Sequence, residues 1–138
     1  MPVIVTANKL CYSVYHAESK ILHSTYSGLV NNKANQILFQ EHLANAIEFA
    51  KDNEIRGVIV DIRKLRGSYV KYFDYLESTG YPALKKSGFA YEAIVVSDDL
   101  IIANVSRKLV DILTRLRVEA RIFTDLPEAE TWLAKQVK

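Results

Sequence analysis

The sequence predicts an α/β domain of element order ββαβαβαβα, with a mostly parallel five-stranded sheet and an antiparallel first strand. Three observations predict it. The runs "RGVIVDI" (56–62) and "YEAIVV" (91–96) are short and continuously apolar, as expected of strands covered on both faces. Amphipathic stretches at helical spacing separate the strands. The alternation of strand and helix implies right-handed crossovers onto a parallel sheet.

Each element has its own justification. In "KLCYSVYH" (9–16), Leu10, Tyr12, Val14 and His16 alternate with Cys11, Ser13 and Tyr15, the period of a half-buried strand. "AESK" turns the chain, and "ILHSTYSG" (21–28) forms a second strand rich in β-branched and aromatic residues. A turn at Glu18–Ser19 sets His16 opposite Ile21 and Val14 opposite His23. Asn31 and Asn32 suit a helix start. The helix that follows places Ile37, Ala44 and Ile47 on one face, flanked by Leu38 and Leu43.

The third strand ends at Asp61, followed by a short basic loop, Gly67 and Ser68. A tyrosine-rich helix runs from about Tyr69 to Ser78, where Gly80 and Pro82 break it, with "ALKKSG" as a candidate last turn. After "YEAIVV", Ser97 or Asp98 caps a helix with Ile102, Val105, Leu109, Ile112, Leu113 and Leu116 at helical spacing. "EARIFT" is the last strand. Asp125 and Glu128 then open a helix with Ala129, Trp132 and Leu133 on its inner face.

Composition bounds the function. A length of 138 residues fits a single domain over 1–138. The formal charge of +2, with no long basic run, gives no reason to expect nucleic acid. The lone Cys11 excludes an intrachain disulfide and fits a reducing compartment. "MPVIVTANKL" lacks a signal-peptide pattern, and no apolar run approaches the roughly 20 residues of a membrane helix. The expectation is a cytoplasmic protein that does not enter a membrane.

The quoted segments also carry a resemblance. "YSGLVNNKANQ", "RGVIVDIRKLRG", "AIVVSDDLIIANV" and "ARIFTDLPEAETWL", spanning about Leu10 to Leu133, resemble the STAS/SpoIIAA-like superfamily and, within it, a bacterial branch of SpoIIAA-like proteins. The resemblance implies a β/α superhelix with four parallel strands and a binding or signalling role without catalysis. Signalling members of that family phosphorylate a serine in an Asp-Ser-Ser/Thr-Gly-like motif before the second helix. Here the loop reads "RKLRGSY", with no aspartate before Ser68 and no glycine after it.

The candidate chemistry is correspondingly sparse. Ser68 reads as a helix cap, or alternatively as a phosphoacceptor for a phosphoswitch toward a regulatory protein partner. Asp61 and Arg63 sit where α/β proteins place their sites. Asp61 bonding the amides of its own loop is the plainer reading, and an enzyme using it as base or nucleophile is the alternative. A response-regulator receiver would need an acidic pair after its first strand, and this chain has none there. His16 and His23 share a face but offer no third metal ligand. Cys11 reads as a small buried side chain. Tyr69, Phe73 and Leu76 face the sheet, leaving Tyr72 and Tyr75 as a candidate interface for self-association into a dimer. No feature calls for a cofactor or a metal.

Overall fold

The computed structural model describes residues 2–138 and shows a six-stranded mixed sheet in the order β1-β2-β3-β4-β5-β6. The strands are β1 (Val3–Ala7), β2 (Cys11–His16), β3 (Ile21–Leu29), β4 (Gly57–Arg66), β5 (Tyr91–Val95) and β6 (Glu119–Phe123). β2 is antiparallel to both neighbours, and β3 to β6 are mutually parallel. The expected β2–β3 hairpin forms in the expected register, with His16 opposite Ile21 and Val14 opposite His23. Lys20 closes its turn at a positive φ of 59°.

The expected five strands become six, because β1 adds an edge beside β2. Only Thr6 of β1 is buried. The strand therefore lacks the alternating apolar signature that a half-buried strand carries.

Four helices connect or follow the parallel strands. Helix α1 (Lys33–Ala50) starts at Asn32, whose side chain accepts from the Asn35 amide. Its buried residues are Phe39, His42, Ala46 and Ala50, whereas Ile37 is exposed. The face read from the sequence is thus displaced around the helix. The true stripe contains a histidine, and an exposed isoleucine mimics a core position.

We treat Val70–Tyr72, Phe73–Tyr75, Leu76–Gly80 and Tyr81–Lys85 as one irregular helix, α2. It passes from a 3₁₀ turn through a π turn at Leu76–Gly80 into a last α-helical segment. Gly80 and Pro82 do not end it as expected. The Tyr81 amide donates to Leu76 O, five residues back. The widened turn just before Pro82 lets the chain absorb a residue that lacks an amide and crowds the preceding turn.

Helix α3 (Leu100–Arg115) is capped by Asp99, one residue beyond the expected pair. Its carboxylate accepts from the Ile101 and Ile102 amides. Helix α4 (Leu126–Gln136) is capped by Asp125, which accepts from the Glu128 amide.

Strand order follows sequence order from β3 to β6, so every right-handed crossover falls on the same side. Helices α1, α2 and α3 therefore share one face of the sheet and form a large apolar core with it. Helix α4 follows the last strand and packs alone on the opposite face, against Ile21, Ile59, Ala93 and Val95.

The basic loop expected after Asp61 is not a loop. Strand β4 runs on to Arg66, paired with β3 throughout. Thr25 opposes Asp61, but Ser27 opposes Lys64, so β4 carries one extra residue at a bulge. A bulge leaves an amide without a ladder partner. Here Asp61 Oδ1 accepts from the Arg63 amide at 3.2 Å. After the strand, Gly67 takes a φ of +88° beside Asn31, whose Oδ1 would lie 2.7 Å from an added Cβ. Only glycine fits both the conformation and the approach.

Candidate functional site

The three-helix face encloses a cavity of about 80 Å³. Strand alternation supplies its floor: Leu22, Ser24 and Tyr26 from β3, Val58, Val60 and Ile62 from β4, and Glu92 from β5. Helix α1 contributes Phe39, His42 and Ala46, with half-buried Leu43 and Ile47. Val30 and Leu65, Tyr69 just before α2, then Leu76, Gly80, Tyr81 and Leu84 on it, and Leu109 of α3 complete the lining. Most of this surface is aliphatic or aromatic.

Glu92 is the exception. Its neighbours Ala93, Ile94 and Val95 are fully buried, and its own exposure is 1%. A carboxylate there would be expensive. Burial pushes its carboxyl up to about 8, only partly opposed by a hydrogen bond from Tyr81. That hydroxyl donates to Oε2 at 3.3 Å, while Oε1 has no hydrogen-bond partner among the described residues. Near neutral pH the side chain is therefore mainly the neutral acid. Such a group has one O–H to donate and acceptor capacity to spare. Burial, with the nearby Glu92 adding to it, also raises the Tyr81 phenol well above its ordinary value.

A second polar group lines the cavity at His42. The Asn45 side-chain amide donates to Thr6 Oγ1 at 3.2 Å, and the same oxygen lies 2.9 Å from His42 Nδ1. His42 Nε2 faces Ser24 Oγ at 3.5 Å. Ser24 in turn pairs with Ser13 Oγ at 2.8 Å. Burial lowers the imidazole to about 4. The arrangement is a buried hydrogen-bonded network joining helix α1 to strands β1, β2 and β3.

The residues singled out from the sequence lie elsewhere. Asp61 faces the α4 side of the sheet, buried, and is held by Arg63. Oδ1 accepts from Nε at 2.9 Å and Oδ2 from Nη2 at 2.7 Å. Burial pushes the Asp61 carboxyl up, but the Arg63 hydrogen bonds and charge outweigh it and hold it below its ordinary value. This is a paired charge, with two bonds from Arg63 to Oδ1 and one to Oδ2. His23 lies nearby, and burial lowers its pKa while Glu130 and Asp61 partly oppose that shift. Among the described residues, no group of three or more His, Cys, Asp or Glu side chains is placed to hold a metal ion.

Ser68 is half-buried, and its Oγ accepts from the Val70 amide at 3.3 Å. It stabilises the turn into α2, although the residue at the cap position itself is Tyr69. Tyr72 and Tyr75 part company. Tyr72 is buried at 6% exposure with its ring 4.4 Å from Phe39, whereas Tyr75 is 42% exposed. Tyr72 thus joins α2 to α1, and only Tyr75 keeps a surface available to a partner. Cys11 is buried, and burial pushes its thiol up to about 12.

Sequence reasoning gave no role to Glu92, His42, Ser24 or Tyr81. One signal was available for Glu92, an acid inside the apolar run "YEAIVV" that is otherwise read as covered on both faces.

No family model matches the chain. No curated protein and no solved structure matches it either.

Proposed function

We propose that the chain is a non-enzymatic binding domain of the SpoIIAA-like type it resembles, and that it holds a small, mostly apolar molecule between its sheet and helices α1 and α2. The observation that carries this reading is the cavity itself. It is apolar nearly throughout, yet it contains a buried acid with one oxygen unpaired. Apolar pockets with a few convergent polar groups are the usual form of small-molecule sites. The polar groups present support binding better than chemistry. Glu92 is bonded only to the Tyr81 phenol, His42 is hydrogen-bonded to Thr6, and Asp61 is paired with Arg63.

Cyclopropane under modest pressure is a direct probe, because apolar cavities of this kind take up apolar guests. NMR of the side-chain methyl groups should show saturable shifts centred on Leu22, Leu76 and Leu84. Shifts scattered over the surface, or none, would remove the reading.

A further inference from the structure

Three buried side-chain atoms lack a hydrogen-bond partner among the described residues, and of these only Glu92 Oε1 belongs to a cavity-lining residue. An unpaired buried polar atom costs stability unless something bonds to it. Its occupant therefore has to bring a complementary group. Building on the cavity as a binding site, we infer that its ligand is a short-chain molecule with a neutral head that both donates and accepts a hydrogen bond, such as an alcohol or a primary amide, seated with the head on Glu92 Oε1 and the tail among Leu22, Val58, Leu76 and Leu84.

Size, charge and hydrogen-bond complementarity each narrow the class. A volume of about 80 Å³ is roughly half that of a cavity that takes benzene, so the ligand has only a few non-hydrogen atoms. The groups around Glu92 are the phenols of Tyr26 from β3, of Tyr69 just before α2 and of Tyr81 on α2, with the imidazole of His42 across the cavity on α1. Strand β4 presents only the apolar Val58, Val60, Ile62 and Leu65, and α3 presents Leu109. The phenols and the imidazole are held neutral by burial, so an anionic head meets no counter-charge. A cationic head would require Glu92 to ionise, and two desolvated charges seldom recover their hydration in so apolar a site. A neutral carboxyl already bonded to Tyr81 on Oε2 is matched by a head that takes a proton from it or gives one back.

The test uses the full chain and four probes of similar size: propan-1-ol, propionamide, propylammonium and cyclopropane, each titrated at pH 6.5 with NMR of the cavity methyl groups. The alcohol and the amide should bind about tenfold more tightly than cyclopropane, the value of one hydrogen bond, and propylammonium should bind more weakly than either. Glu92→Gln keeps a donor and an acceptor and should retain both neutral heads. Glu92→Leu should lose that tenfold advantage while still taking up cyclopropane.

If cyclopropane binds as tightly as propan-1-ol, head-group selection is wrong and the cavity reading stands. If propylammonium binds most tightly, the ligand class is cationic and the inference falls. If propan-1-ol binds Glu92→Leu as well as wild type, Glu92 is not the recognition group. If no probe, cyclopropane included, moves a cavity methyl, the cavity holds water at most and both readings fail. Should Glu92→Leu not fold, the ranking of the four probes on wild type and Glu92→Gln still decides the matter.

Discussion

The two faces of the sheet are built on opposite plans. The α4 face is thin and close-packed. Small residues let the helix approach: Ala93 and Ala129 are fully buried, and a Cβ on Gly57 would stand 2.9 Å from Val137 and 3.0 Å from Leu133. Its charged pair, Asp61 with Arg63, lies at the margin of this packing and is satisfied. The three-helix face is thick, and it buries Thr6, Ser13, Ser24, His42, Glu92 and Ser106 among its aromatic rings. The contrast is one of shape. One helix on a flat sheet can close the gap with alanine and glycine. Three helices and several large rings cannot fill the space between them, and the remaining space lies beside the acid.

The largest effect should separate the faces by packing. Leu133 is fully buried in the close-packed face. Leu133→Ala should cost about 4 kcal/mol, because tight surroundings relax little around a new hole. Leu84 already borders the cavity, so Leu84→Ala should cost nearer 2 kcal/mol, at the low end of the range for such changes. Urea unfolding of the two variants checks this, and equal midpoints would erase the distinction. Trp132→Ala should fall below Leu133→Ala. Its ring is only half-buried and rests on Phe123 at 5.7 Å, with Arg121 5.3 Å above it.

The second effect is electrostatic and is largest on the thick face. The Glu92 pKa rises from 4.5 to about 8 on folding. The folded protein then binds more protons than the unfolded chain between those values, so stability falls as pH rises through that window. His42 works the other way. Its value drops from 6.5 to about 4 on folding, so stability rises with pH up to about 6.5. The two slopes oppose each other below pH 6.5, and only the Glu92 slope remains between 6.5 and 8. Wild type should lose about 2 kcal/mol across that interval, at the limit of about 1.4 kcal/mol per pH unit for one proton. Glu92→Gln should show a flat profile there. A wild-type profile that is also flat would mean that Glu92 ionises in the folded state as it does in the unfolded one.

The charged pair of the thin face should be worth less. Arg63 is 43% exposed, so water screens the pair even though the Asp61 side chain is only 6% exposed. Arg63→Ala should cost about 1–2 kcal/mol, mostly from leaving Asp61 under-bonded. The Asp61 carboxyl titration followed by NMR should move upward in the same variant. Asp61→Asn keeps an acceptor for the Arg63 amide and should be milder than Arg63→Ala.

What was legible in the sequence follows the same division. The hairpin register, the parallel strands and the helix stripe of Ile102, Val105 and Leu109 come from local periodicity, and the fold keeps them. The packing of α4 was legible too, since Ala129 and Leu133 pack it on apolar strand residues. The thick face was not. Phe39, His42 and Ala46 form a stripe broken by a histidine, and His42 is acceptable there only because Thr6 arrives from a strand with no core signature of its own. Glu92 drew no notice inside a run read as a buried strand, because its partner Tyr81 comes from a helix expected to have ended. Asp61 looked like a strand end because the bulge that extends β4 shows only in its pairing with β3. Polar groups satisfied by distant residues leave no period to read.

The smallest effect concerns Ser68, which belongs to neither plan. It lies between the end of β4 and the start of α2, and its Oγ accepts from the Val70 amide at 3.3 Å, at the long end for such a bond. A hydroxyl in that position bonds weakly, and the serine is half-buried, so water can replace it. Ser68→Ala should cost no more than about 0.5 kcal/mol, and it should leave both the cyclopropane shifts of the cavity and the pH slope of Glu92 unchanged. Tyr69, the next residue, reaches inward to Ser106 at 2.7 Å and lines the cavity. A change at Ser68 that disturbed the cavity would have to travel through that one residue. If Ser68→Ala weakens probe binding or flattens the pH profile, the start of α2 is coupled to the thick face, and a phosphoryl group on Ser68 would then have a direct route to the site.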